Sequence, residues 1–173
     1  MPPGANLGKP GVFVNAIPSD FWLQPVKVNS RDADQVGESL TINIRDYLNE
    51  SKLFNQAKTY RKAAIKENDL VGEIEFSSYQ IKRSIHPAYF PAALLTATVY
   101  IWVGGPIAID TVNLVATLVV KDASGKEIAR AKEEIKSKQN KSFYQPFAGG
   151  VKERTNVINK LFERISNELS TKK

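Results

Sequence analysis

Two stretches of the chain repeat their apolar residues at helical spacing, while most of the rest alternates them two by two. Val36, Leu40, Ile44, Tyr47 and Leu48 recur at the three- and four-residue intervals of one helix face, predicting a helix over 33–50. Asp32, with Gln35 three residues later, offers a reciprocal cap for the unpaired N–H groups of its first turn. Near the C-terminus, Val151, Val157, Ile158, Leu161, Phe162, Ile165 and Leu169 mark one stripe of a closing helix. Lys172 and Lys173 lie just beyond it, where positive charge suits a helix C-terminus.

The alternating stretches predict strands. Val12 to Ile17 follows Gly/Pro punctuation and stops at Pro18, and 18–30 is expected to be a loop carrying Phe21, Trp22 and Pro25. A short strand is expected near Gln56–Tyr60 after Leu53-Phe54, and another from Asp69 to Phe76, where apolar and charged residues alternate. Val112, Leu114, Ala116, Leu118 and Val120 give one face of a strand over Thr111–Lys121. Asp122-Ala123-Ser124-Gly125 then turns the chain into a strand from Lys126 to about Ile135, with Gly125 suited to a positive φ. The polar and then Pro/aromatic run Lys136–Phe147 reads as a loop.

Between Pro87 and Ile109 the chain carries no charge. Leu95, Ala97, Val99, Ile101 and Val103 alternate there with Thr96, Thr98, Tyr100 and Trp102, which predicts a strand over Leu94–Val103 paired with Thr111–Lys121. The first set should lie under the helices and Tyr100 and Trp102 on the other face, either covered by a loop or forming a contact surface. Pro91 and Gly104-Gly105-Pro106 leave the run too short for a helix that spans a bilayer. The order of elements predicts an α+β domain: a mixed, mainly antiparallel sheet of about five to six strands with two helices on one face. Residues 1–10, which include Met1-Pro2-Pro3-Gly4, read as a tether and 11–173 as a single domain.

Composition adds limits. With 42% hydrophobic and 24% charged residues the chain is ordinary globular material, and with no cysteine it has neither a disulfide nor a thiolate zinc site. The net charge of +6 gathers partly in Lys121–Lys141, where Glu127, Glu133 and Glu134 interrupt it. A solvated lysine face explains this cluster; weak attraction to acidic lipid headgroups is the other reading.

Candidate chemistry is sparse. His86 is the only histidine, and the nearest following carboxylate is Asp110, so neither a histidine metal site nor a serine triad is supported. Gly104-Gly105-Pro106 is expected between strands, where it presents no helix N-terminus. Gly149-Gly150 precedes a helix with Lys152 and Arg154 nearby, and either holds an anion or only lets the chain turn. Asp32/Asp34 and Glu133/Glu134 are accounted for by a cap and a wet hairpin. No enzyme, cofactor or metal is expected. Among the aromatics, Phe21, Trp22, Tyr89, Phe90, Tyr100 and Trp102 are the candidate contact surface, because the loop members are hard to bury.

From about residue 33 onward the layout resembles small bacterial cell-envelope lipoproteins, including ABC-transport auxiliary lipoproteins and α/β domains of the curli-channel and Tol N-terminal type. The resemblance rests on the helix ending in Leu53-Phe54 and on Asp69-Leu70-Val71-Gly72-Glu73-Ile74. It continues through the apolar stretch with Gly-Pro, the Asp122–Lys126 hairpin and the long amphipathic C-terminal helix. It implies a non-enzymatic periplasmic binding, assembly or transport-accessory module, at the outer membrane or elsewhere in the envelope. The module would be tethered to a membrane through a removed N-terminal segment. The implied partners are other envelope proteins and a membrane surface, with homo-oligomerisation open. The alternative is a cytosolic basic protein that binds nucleic acid, which the interrupted charge disfavours.

Overall fold

A computed structural model describes residues 5–96 and 99–171. The strands are β1 (Ile17–Leu23), β2 (Lys27–Val28), β3 (Phe54–Thr59), β4 (Leu70–Ile85), β5 (Pro106–Lys121) and β6 (Glu127–Ser142). The helices are α1 (Ala33–Ser51), α2 (Tyr89–Leu95), α3 (Val99–Trp102) and α4 (Val151–Thr171). The chain forms one α+β domain with an open, mixed, six-stranded sheet in the order β3-β1-β4-β5-β6, β2 pairing with β4 beside β1. β1 runs parallel to β3 and β4, and β2 parallel to β4. The long strands β4, β5 and β6 form an antiparallel meander.

Helices α1 and α4 cover one face of this sheet, in a single core with the inward residues of the meander. On α4, Val157, Ile158, Leu161, Phe162 and Ile165 are fully buried, as the stripe predicts, and Leu169 packs at its margin. Phe162 meets Phe21 and Phe54 edge-on, with ring centroids 5.6 and 6.1 Å away, while Phe21 and Phe54 stack at 4.4 Å. The other face of the meander is wet and answers its own charges, with Lys121 on Glu73 (2.6 Å), Arg130 on Glu127 (2.7 Å) and Lys136 on Glu134 (2.5 Å).

Several expectations are corrected. Val12 to Ile17 is not a strand: Val12 and Val14 are exposed, and only Ile17 joins the sheet, donating its N–H to Leu53 O at 2.7 Å. The strand lies one segment later, and Pro18 fits because the β1–β3 register slips between Ile17 and Asp20, where a missing N–H costs no ladder bond. The Asp32–Gln35 cap does not form, since Asp32 makes no side-chain cap bond; Asp32 O accepts from the Val36 N–H at 3.0 Å. The strand expected over Leu94–Val103 is replaced by α2 and α3, and the third member of the meander is β4. Both edges of β5 are occupied by β4 and β6, so no place beside it remains. Leu95 and Val103, expected under the helices, are exposed. Ala97 and Thr98 lie outside the described residues, as do Lys172, Lys173 and Met1–Gly4.

The segment expected as a tether is laid down from Ala5 onward. Asn15 O accepts from the Ser166 hydroxyl (2.7 Å), and the Gly8 N–H donates to the Thr155 hydroxyl (2.8 Å). Asn6 O accepts from the Arg154 guanidinium at 3.0 and 3.2 Å, and Ala5 O from the Asn43 amide at 3.0 Å. From Asn6 to Asn15 the chain therefore runs parallel to α4, its earliest described residues lying against the first turns of the helix. Arg154 is fully buried, which pulls its pKa down, yet the carbonyls of Asn6 and Gly149 take its N–H groups.

The turn between β5 and β6 is as expected. Asp122 accepts from the backbone N–H groups of Ser124 and Lys126 and from the Ser124 hydroxyl, and Gly125 adopts φ +89°. Open space surrounds the position a Gly125 side chain would take, so only backbone strain opposes one. Gly125→Val is expected to cost about 1 kcal/mol, read as a lower midpoint in thermal unfolding. Ala123→Ser should leave the midpoint in place. A fully tolerated valine would show that the turn relaxes to another geometry.

Candidate contact surface

The six aromatics singled out from sequence divide into two groups. Phe21 and Trp22 are not a surface: they lie in β1, Phe21 fully buried and Trp22 nearly so. Side chains alternate across the strand, so Phe21 enters the helix-covered core while Trp22 turns to the opposite face. There the Trp22 indole N–H donates to Asp69 Oδ2 (2.8 Å), and the Lys58 ammonium sits 5.3 Å from its ring centroid.

The other four converge on the connection between β4 and β5. Tyr89 and Phe90 open α2, their rings edge-to-face at 5.2 Å. Pro91 follows within the first helical turn, where its missing N–H would have had no helical partner, and Ala92, Ala93, Leu94 and Leu95 are strong helix formers. Thr96 closes this helix, and its hydroxyl accepts the Tyr100 N–H at 3.1 Å. Gly104, at φ +79°, ends α3: its N–H reaches Ile101 O (3.1 Å) and that of Gly105 reaches Tyr100 O (2.9 Å), the paired bonds of a Schellman cap. The glycines expected to break a strand are therefore a helix cap. The Tyr100 hydroxyl donates to Pro106 O at 3.1 Å, which draws that ring inward and leaves Trp102 outward.

The resulting helical hairpin packs little of itself away. Leu94 is 82% exposed, Leu95 87%, Trp102 77% and Phe90 61%. Phe143 and Tyr144 in the β6–α4 loop are exposed too. The register joins the two groups: Ile85 pairs with Ala108 and Pro106 with Ser142, so the β4–β5 connection and the β6–α4 loop leave the same end of the sheet. Together they form an apolar crest. Phe143 and Tyr144 were not among the sequence candidates; the usable signal was an aromatic loop following a strand whose register returns it to the start of β5.

Under the crest, Arg83 and Asp110 form a two-pronged ion pair (2.6 and 2.8 Å), and hydrogen bonding to the carboxylate raises the arginine pKa further. The same guanidinium lies 5.2 Å from the Phe147 ring centroid and donates to Gln145 O at 3.4 Å, tying the loop to β4. His86 Nδ1 accepts the Ala88 N–H at 3.2 Å and so serves its own turn. Gly149 and Gly150 both take positive φ, and Gly149 O accepts from Arg154, as expected of a chain turning into a helix. Among the described residues no group of three or more His, Cys, Asp or Glu side chains could hold a metal, and no helix is long and apolar enough to cross a membrane. A groove of about 670 Å³ lies between β2 and α1, lined by Pro25, Val26, Val28, Gly37, Thr41 and Ile42, far from the crest in the sheet.

No protein-family model matches the chain, and no curated protein matches its sequence. Solved structures do share its fold. It superposes on a PelC dodecamer structure from Paraburkholderia phytofirmans with a TM-score of 0.50 at 12% identity, covering 91% of this chain and 93% of that one. It is also similar to an uncharacterised lipoprotein B from Nitrosomonas europaea (TM-score 0.48, 11% identity, 95% and 93% covered). A lipoprotein from Neisseria meningitidis aligns with a TM-score of 0.44 at 14% identity, covering 89% and 99%. Bacterial lipoproteins are thus among its structural neighbours, and the likeness is one of fold.

Proposed function

We propose that this chain is a non-enzymatic module of the cell envelope, facing the periplasm and held to a membrane from its N-terminal side. It acts through contacts with other envelope proteins or a lipid surface, as an assembly or transport-accessory component. The observation that carries this reading is the crest. Apart from Val12, Val14 and Ile42, the exposed large apolar side chains of the described residues gather at one end of a fold whose core packs against α1 and α4, which marks an interaction site in a stable domain. The N-terminal segment runs along α4 to that same end, so an attachment there and the crest would face one surface. The fold shared with a PelC dodecamer makes a homo-oligomer part of the reading. The cations of Lys121, Arg130 and Lys136 are spent on carboxylates and Glu127, Glu133 and Glu134 interrupt the cluster, so it presents no continuous basic stripe to a nucleic-acid backbone.

Fractionation of the cells that natively express the gene tests this. The protein is expected to sediment with envelope membranes and to become protease-sensitive only when the outer membrane is opened. Recovery in the soluble cytosolic fraction would overturn the reading.

A further inference from the structure

The crest stands on an unbalanced ring of charge. Residues 77–109 and 135–152, which make up this end of the molecule, contain Lys82, Arg83, Lys136, Lys138, Lys141 and Lys152 and neither an aspartate nor a glutamate. Asp110 and Glu153 lie at their border, both lining a small pocket with Lys141, and Arg83 neutralises Asp110. Lys136 is likewise answered, by Glu134. Lys82 and Lys138 flank Thr111 in one row across three strands, so their backbones stand roughly 10 Å apart on the helix-free face. That row is three residues below Ile85, or roughly 10 Å beneath the base of the hairpin. Lys141 pairs with Ala108, nearer still.

This vertical order is that of a bilayer leaflet. Exposed leucine, valine and tryptophan stand in a stretch without charge from Pro87 to Ile109, and lysines stand about one headgroup depth behind its base. A protein partner would be met by apolar groups alone or by carboxylates of its own, but a mainly basic collar placed behind an apolar tip fits anionic lipid. Apolar side chains gain by leaving water for the acyl boundary, and long lysine chains extend to phosphates at the interface. Resting on the contact reading above, we propose that the crest docks on the surface of an anionic lipid bilayer. Leu94, Leu95, Trp102 and Val103 enter the acyl boundary, and Lys82, Lys138 and Lys141 contact headgroup phosphates. The hairpin lies in the interface without crossing the membrane.

The test is sedimentation of the purified chain with vesicles of phosphatidylcholine alone and of phosphatidylcholine mixed with phosphatidylglycerol, at low salt. The wild type is expected to partition onto the mixed vesicles with a blue shift in tryptophan emission that Trp102→Phe abolishes. Leu94→Glu/Leu95→Glu should cut partition tenfold or more at an unchanged melting temperature, because both side chains are already in water. Lys82→Gln/Lys138→Gln should cut binding to the mixed vesicles by about tenfold and leave any weak binding to the neutral ones as it is. No partition of the wild type, or equal partition of the leucine variant, would overturn the proposal. So would a wild-type oligomer that the leucine variant dissolves without any vesicle binding, which would assign the crest to a second copy. Each of these failures leaves the envelope location standing, since fractionation reads that independently.

Discussion

Leu161→Ala is expected to destabilise the domain by about 2–5 kcal/mol, the cost of removing buried methyl groups and leaving a cavity. Leu161 is fully buried at the centre of the α4 stripe, between Val157–Ile158 and Ile165, and faces the inward residues of the meander. A protein of this size loses about 2–4 °C of melting temperature per kcal/mol, so the change should be plain in a calorimetric scan. The neighbouring Lys160 is exposed, and Lys160→Ala should move the midpoint by no more than a surface substitution usually does. Equal losses from the two variants would mean that α4 presents a different face to the sheet.

That helix was legible because its signal is redundant: five fully buried residues recur at helical intervals, with charged residues between them. α1, β5 from Thr111 onward, the first half of β6 and the Asp122–Gly125 turn were legible on the same terms. Residues 136–142, expected as part of a loop, instead continue β6, because these mostly polar residues face solvent on both sides and show no apolar alternation. β4 was legible only as far as Phe76, for a definite reason. Its pairing with β5 slips between Phe76 and Ser78, so its inward residues change parity from Ile74 and Phe76 to Tyr79 and Ile81. An alternation that changes phase in mid-strand looks like the end of a strand. With the second half of β4 out of phase, the two-residue pattern of Leu94–Val103 makes that stretch look like the nearest partner for β5. That pattern set apolar residues against Thr, Tyr and Trp and so named no wet face. Local preference decided the segment instead, through Ala92 to Leu95 and the Gly104 cap.

The candidate surface was half legible for a related reason. Phe21 and Trp22 stand between Pro18 and Pro25, and that punctuation suggested a loop. The residues enclosed are strand formers, and β1 needs neither proline's N–H, because one sits at a register slip and the other beyond the strand's end. Tyr89, Phe90, Tyr100 and Trp102 share the β4–β5 connection, in two short helices and not on the back of a strand. Phe143 and Tyr144 joined them only through the Pro106–Ser142 register, a pairing between residues far apart in sequence.

The same packing that hides Phe21 predicts an inverted outcome at Gly72. Replacing a strand glycine with alanine ordinarily helps, because glycine loses more freedom on folding. Here a β-carbon at Gly72 would stand 2.0 Å from Cζ of Phe21. The ring has nowhere to withdraw: it is fully buried, stacked on Phe54 and met edge-on by Phe162. The backbone of Gly72 cannot yield easily either, since its β4 position pairs with Leu23 on one side and Val120 on the other. Gly72→Ala is therefore expected to destabilise by about 1–3 kcal/mol, the usual cost of overpacking a filled core. Phe21→Leu should destabilise too, by opening a cavity among the three rings. Combined, the two changes relieve one another, because the smaller side chain vacates the space the new methyl needs. The double variant should be more stable than the sum of the two losses predicts, by a coupling of about 0.5–3 kcal/mol measured in denaturant unfolding. Strict additivity would show that the strain at Gly72 is taken up by the backbone and not by the Phe21 ring.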